Sequence, residues 1–242
     1  MTAAESGRPG ARERSSSRIL AAGALMLASA GLQQLAAVQR WAVAGPILGE
    51  QAIEDHRYDY SWPSDPWENV GSAGQLLGIG HLLVALAVLA AVGPGRRRPV
   101  AVLRIVVAAA FGCLGLHAVL SGILGAPTIL QAMLPAVVLG LVAPTALLAL
   151  AVLMARTSPL RAASFVLLIG STLPGYLVAT FAIAPALVGS QSYDTTPWTE
   201  SVVAASVALA GAALLLEALI RSIAQRAGAV PHRDRSPGAA AS

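Results

Sequence analysis

Residues 75–98 read QLLGIGHLLVALAVLAAVGPGRRR, an uncharged apolar run from Gln75 to Val92 followed by Gly-Pro-Gly and then by Arg96, Arg97 and Arg98. A continuous apolar stretch of ~17–25 residues has the length needed to cross ~30 Å of hydrocarbon as a helix. Basic residues placed directly after such a run hold that end of the helix on the cytoplasmic side. Five more apolar runs lie around it, roughly Ile19–Ala44, Ile105–Leu124, Ile129–Met154, Ala162–Leu187 and Val202–Ile220. None shows the in-out alternation of a lumen-facing strand, so a closed barrel is excluded. The expected fold is all-α, a polytopic transmembrane bundle of six helices.

The charges divide between the breaks. All 16 basic residues are arginines, and all but Arg40 and Arg57 fall in the terminal tails or in the breaks on one side. Of the 12 acidic residues, Glu50, Glu54, Asp55, Asp59, Asp65, Glu68, Asp194 and Glu200 fall on the other. By the positive-inside rule both termini are cytoplasmic and the acidic loops are outside. The basic balance, with a pI near 10.0, is therefore topological and does not mark a nucleic-acid partner. With 56% hydrophobic and 12% charged residues in 242, the chain lacks the polar sequence to coat a soluble globule. Lysine is absent while Ala, Gly and Arg dominate, as in GC-rich bacterial genomes, which places the expected location in a bacterial plasma membrane. The single cysteine, Cys113, allows no internal disulfide.

Residues 1–17 and 222–242 are rich in Ser, Gly, Ala, Pro and Arg and are expected to be disordered tails around a membrane domain of residues 18–221. Ala28-Ser29-Ala30 looks like a signal-peptidase site, but the apolar run continues through Leu35 to Trp41, as in a retained helix.

The longest connection, the outer loop 45–74, carries Tyr58-Asp59-Tyr60-Ser61-Trp62-Pro63-Ser64-Asp65-Pro66-Trp67-Glu68. Asp65 suits an N-cap, Pro66 the first helical position and Glu68 the third, so the second helix is expected to start at Pro66. Thr196-Pro197-Trp198 repeats the pattern before the last helix. Two Pro-Trp helix starts on one side make an aromatic, acidic surface of Tyr58, Asp59, Trp62, Trp67, Glu68 and Trp198 for a lipid headgroup, a small ligand or a partner subunit. The plainer alternative is helix capping plus tryptophan at the water–lipid boundary. His56 among the loop acids suggests a hard cation, yet the spacing matches neither a calcium loop nor a zinc motif, so no metal is expected.

Polar residues at membrane depth form a second candidate. His81 and His117 are expected ~9–11 Å below the outer surface at ~1.5 Å per residue, level with Gln33, Gln34, Ser121, Gln131, Tyr176 and Thr180. Paired histidines could ligate a haem b through its two axial positions or relay protons; hydrogen bonds across helix interfaces are the plainer reading. Glu217 is expected to pair with Arg221 one turn on. Pro135, Pro144, Gly170, Pro174 and Gly175 predict kinks in the fourth and fifth helices, and Ala204, Ala208 and Ala212 a small-residue packing stripe on the last.

The six-helix layout with a long first outer loop and a Tyr-Asp run ahead of the second helix resembles an uncharacterised group of compact prokaryotic membrane proteins over residues 20–220. The resemblance implies the fold alone and transfers no functional residue. No hydrolase elbow, Walker loop or comparable catalytic motif is present. The expected function is non-catalytic binding at the outer face, by a chain embedded in a lipid bilayer, alone, as a homo-oligomer or with a membrane subunit. A haem-binding or proton-coupled redox protein using His81 and His117 is the alternative, and a small-molecule transporter the third.

Overall fold

The computed structural model describes residues 9–48, 56–93, 98–189 and 196–228, and every regular element among them is helical. Helix α1 (Pro9–Val38) continues through a π-helical turn (Gln39–Ala44) into a last α turn (Gly45–Leu48). It is followed by α2 (Ala73–Val92), α3 (Arg98–Leu124), α4 (Met133–Met154), α5 (Pro159–Leu168), α6 (Leu173–Val178) and α7 (Thr199–Gly228). A 3-10 turn (Ile169–Ser171) joins α5 to α6, and α6 runs on through a π turn (Ala179–Ile183) to Ala184–Val188. Four helices are long and apolar enough to cross a membrane, or five when the bent α5–α6 pair is taken as one span. The described part of α4 that passes as apolar, Gly140–Met154, is shorter.

Each helix packs chiefly on its neighbours in sequence, and α7 closes the ring on α1. The pairings show the direction. Ser29 meets Gly80 and Gln39 meets Ser72; Gly78 meets Gly115 and Gln75 meets Gly122; Gln225 meets Ser16 and Arg40 meets Glu200. In each pair of helices one number falls as the other rises, so α1–α2, α2–α3 and α7–α1 are antiparallel. Closure depends on glycine at two crossings. A Cβ on Gly78 would lie 2.5 Å from the Gly115 carbonyl oxygen, and one on Gly115 2.7 Å from that of Gly78. Gly23 and Gly211 make the matching approach of α1 to α7, each 3.0 Å from the other's carbonyl oxygen by the same measure. This corrects the expected stripe: Ala204 is buried, but Ala212 faces outward and Gly211 makes the close approach.

The interior is apolar, centred on Met26, Phe111, Leu147, Leu150, Phe165 and Leu214, and the exterior is apolar too. Leu20, Leu86, Ile105, Leu148, Val166 and Leu216 all project outward, a surface compatible with embedding in a membrane. The predicted break in the fifth run is present as a 67° bend between α5 and α6. Pro144 sits inside α4 without ending it.

Both expected Pro-Trp helix starts are corrected. Helix α2 begins at Ala73 because Asn69 Oδ1, not Asp65, accepts the Gly74 N–H at 3.1 Å, and Gly71 is left-handed with φ +58°. No α-helix passes through such a residue. The Asp65–Pro66 bond is cis. Helix α7 begins at Thr199 because the Thr196 hydroxyl is drawn away to the Thr180 carbonyl at 2.7 Å, and Trp198 takes φ +68°. A bulky residue keeps that conformation only where its surroundings hold it. Helix α1 starts at Pro9 and α7 reaches Gly228, so both run into the stretches expected as tails, where Gln225 bonds Ser16 at 3.2 Å. The remaining tail positions, Glu50, Glu54, Asp55, Arg96, Arg97 and Asp194 lie outside the described residues.

Candidate functional site

The two arginines that break the charge asymmetry are both paired with carboxylates. Arg57 reaches Glu68 at 3.5 Å on the loop surface, an exposed contact worth ~0–1 kcal/mol. Arg40 is different: it is fully buried, with its Nη1 at 2.9 Å from Glu200 Oε1 and 3.5 Å from Asp59 Oδ1. The Trp41 indole N–H donates to the other Glu200 oxygen at 2.7 Å, and the guanidinium lies 4.6 Å from the Trp41 ring centroid. The π turn makes this possible, because its wider winding brings consecutive side chains closer in azimuth than an α turn does. Arg40 and Trp41 can then both face α7. Glu200 stands in the first turn of α7, where the helix dipole favours a carboxylate.

The loop 56–72 folds inward over this cluster. Tyr60, Trp67, Ala36, Ala73 and Leu77 form a small core of their own. Tyr58 and Trp67, expected on a binding surface, are therefore corrected to interior packing residues. Glu68 is exposed and Trp198 half-buried at its helix start, so the two Pro-Trp segments do not form one surface patch. Burial pushes the Tyr60 phenol well above its usual range, aided by the negative charge of Glu200.

His117 holds the loop down. Its Nε2 lies 3.2 Å from the Pro63 carbonyl and its Nδ1 2.6 Å from the Thr128 hydroxyl. A carbonyl only accepts, so Nε2 carries the proton and Nδ1 receives the threonine hydrogen. Thr128 in turn accepts the Leu130 N–H at 3.3 Å, Ser121 Oγ stands 3.4 Å from Nδ1, and the Trp62 ring leans on the imidazole at 5.3 Å. Gln131 Oε1 accepts the Asp65 N–H nearby at 3.1 Å. Both ring nitrogens are thus occupied, which leaves no lone pair for iron. The residues do not fit an axial-ligand pair, and the geometry does not support the haem expectation. Among the described residues no three His, Cys, Asp or Glu side chains gather to hold a metal.

His81 faces a different environment. It stacks on Phe111 at 5.7 Å and lines a cavity of about 360 Å³ inside the bundle. Its Nδ1 leans toward the Leu77 carbonyl one turn back without reaching hydrogen-bond geometry. Gln33, Asp59, Trp62 and Tyr176 share this cavity, joined by Glu200. Gln34 is half-buried and not part of the wall. The remaining lining is mostly apolar, from Leu77 and Phe111 round to Val137 and Leu173. Its three exposed hydrophobic residues, Val137, Leu173 and Leu177, belong to α4 and α6, so the mouth lies between those helices.

Several polar groups in the wall lack a partner. Gln33 is 1% exposed, and its amide N–H bonds Ser29 Oγ at 2.9 Å while Ser29 bonds the Gly80 carbonyl at 2.8 Å. That chain fixes the amide and leaves Oε1 with no partner. Asp59 Oδ1 takes Arg40 and the Ser61 N–H at 2.8 Å, while its Oδ2 meets no donor among the described residues. Pro144 has no N–H to return to the carbonyl of Gly140, one turn earlier in the cavity wall. The Tyr176 hydroxyl points toward Ser61, short of a full hydrogen bond.

The structure brings Gln33, His81 and Tyr176, grouped from the sequence, into one cavity wall, and it adds the Arg40–Glu200 pair, which sequence reasoning missed. The available signal was the asymmetry itself: an arginine on the wrong side needs a local acid. Comparison of the chain with known protein families, with curated proteins and with solved structures finds no match.

Proposed function

We propose that this chain is a six-span bundle of a bacterial plasma membrane, with both termini cytoplasmic, that binds a small amphiphile in the cavity between α4 and α6 without chemistry of its own. The α5–α6 pair acts as the fifth span and the whole of α4 as the fourth. Support for the embedding comes from the apolar exterior and from α7, which carries two buried carboxylates, Glu200 in its first turn and Glu217 further along. Glu200 and Glu217 stand 17 positions apart, about 25 Å along a helix axis at ~1.5 Å per residue, close to the ~30 Å of a hydrocarbon core. The arginine asymmetry supports the orientation.

The observation that carries the binding reading is an apolar cavity with a few convergent polar groups, the usual form of a small-molecule site. Buried acceptors such as Gln33 Oε1 are costly unless something supplies a donor. A mouth between two helices admits a molecule dissolved in the bilayer.

Two experiments test this. Native mass spectrometry of protein released gently from membranes is expected to show a bound amphiphile that Val137→Trp, which plugs the mouth, displaces; identical spectra from both proteins overturn the reading. For topology, in a Cys113→Ser background, Glu68→Cys is expected to react with an impermeant maleimide on intact cells and Arg156→Cys only after lysis. The reverse pattern overturns the orientation.

A further inference from the structure

The charge around the cavity indicates which amphiphile it takes. We infer that the ligand carries a protonated amine, its ammonium set against Asp59 and its apolar body along Leu77, Phe111 and Leu173. This rests on the cavity being a binding site, as proposed above.

Two carboxylates, Asp59 and Glu200, share the single guanidinium of Arg40, so the described polar end of the cavity has an excess of negative charge. Glu200 has a donor on each oxygen, Arg40 on one and Trp41 on the other. Asp59 keeps 28% side-chain exposure, and its Oδ2 meets no donor among the described residues. Of the other open positions on the wall, Gln33 Oε1 is an acceptor, and the Tyr176 hydroxyl can accept as well as donate.

Two carboxylates on one guanidinium, with the open Gln33 acceptor beside them in the wall, favour a ligand that brings donors and positive charge. An ammonium brings three donors and a positive charge; an alcohol brings one donor and no charge. A carboxylate, sulfate or phosphate head brings more acceptors and is repelled by the excess negative charge. Charge-assisted hydrogen bonds are roughly twice as strong as neutral ones, and more so away from water. The Trp62 ring, also in the wall, adds an electron-rich surface of the kind that attracts cations.

The test uses the full chain in nanodiscs of zwitterionic lipid, with decylamine, decanol and decanoate as probes at pH 7, each scored by competition against the others in native mass spectrometry. Decylamine is expected to bind about tenfold or more tightly than decanol, the factor expected when a neutral hydrogen bond is exchanged for a charged one, and decanoate more weakly still. Asp59→Asn is expected to bring decylamine down to the level of decanol. The wild-type ranking needs no variant, so it stands even where Asp59→Asn lowers expression. If the three probes bind alike and Val137→Trp weakens all of them, the cavity is a site but the amine preference is wrong. If Val137→Trp leaves decylamine binding untouched, both readings fall.

Discussion

Arg40 on the first helix and Glu200 on the last meet at 2.9 Å, although 160 residues separate them in the chain. The contact closes the helical ring at the end that carries the 56–72 loop. Removing one partner strands the other charge away from water, a loss of ~3–5 kcal/mol for a buried pair. Arg40→Ala is therefore expected to lower the thermal midpoint in detergent sharply. Arg40→Met with Glu200→Gln removes both charges and keeps an acceptor for the Trp41 indole, so it should recover most of the loss. A double variant no more stable than Arg40→Ala would show that the charge pairing is not what matters there.

At the other end, Glu217 takes Arg161 at 2.6 Å and Arg221 at 2.7 Å. The expected Glu217–Arg221 pair is present, and Arg161 joins it while also donating to the Ala91 carbonyl at 2.9 Å. Arg161 is 2% exposed and Arg221 34%, so the two arginines are not equivalent. Arg221→Ala should cost ~1 kcal/mol or less, and Arg161→Ala ~3–5 kcal/mol. Unfolding of the two variants side by side checks the difference, and equal losses would contradict it.

His117 links α3 to the loop and to the turn after Thr128. His117→Phe leaves the Pro63 carbonyl without this donor and the Thr128 hydroxyl hydrogen without this acceptor, at a cost of ~1–3 kcal/mol for each group that stays buried. Hydrogen exchange over residues 60–66 should quicken while the apolar helices keep their protection. Haemin added to the wild-type protein should give no Soret band that depends on His117; a dependent band would overturn the assignment of its nitrogens.

Tyr60 predicts an alkaline limb. Its folded pKa lies above the usual ~10 of tyrosine, so the folded state favours the neutral phenol. That contribution is complete below pH ~10 and is lost as the pH rises through the folded value. Thermal stability should fall above pH ~10 in the wild type and fall less in Tyr60→Phe. At pH 7 the variant should match or exceed the wild type, because the buried hydroxyl has no partner to lose.

Much of the architecture is readable from residue patterns. Apolar runs of membrane length are a local property, and every regular element among the described residues is helical, with four helices long and apolar enough to cross a membrane, or five when the bent α5–α6 pair is one span. Helix starts were less legible. Asp65-Pro66 and Thr196-Pro197 carry good capping chemistry, yet Asn69 caps one helix and Thr180 captures the hydroxyl of Thr196 at the other. Capping rules rank local partners and cannot see a carbonyl from another helix. The aromatic residues misled for a related reason: tryptophan suits an interface and a core equally, and burial of Trp67 is decided by how the loop folds.

What the sequence determined by itself was the number and spacing of apolar segments and the segregation of charge between their ends, because hydrophobic length and charge placement need no knowledge of which helices touch. Only the tertiary structure decided that α7 returns to α1. From that closure follow the burial of Arg40 with Glu200, the separation of His81 in a cavity from His117 under a loop, and the placing of Asp59 beside Gln33 and Trp62. Those meetings join residues up to 160 positions apart, and their energies depend on burial that no single segment possesses.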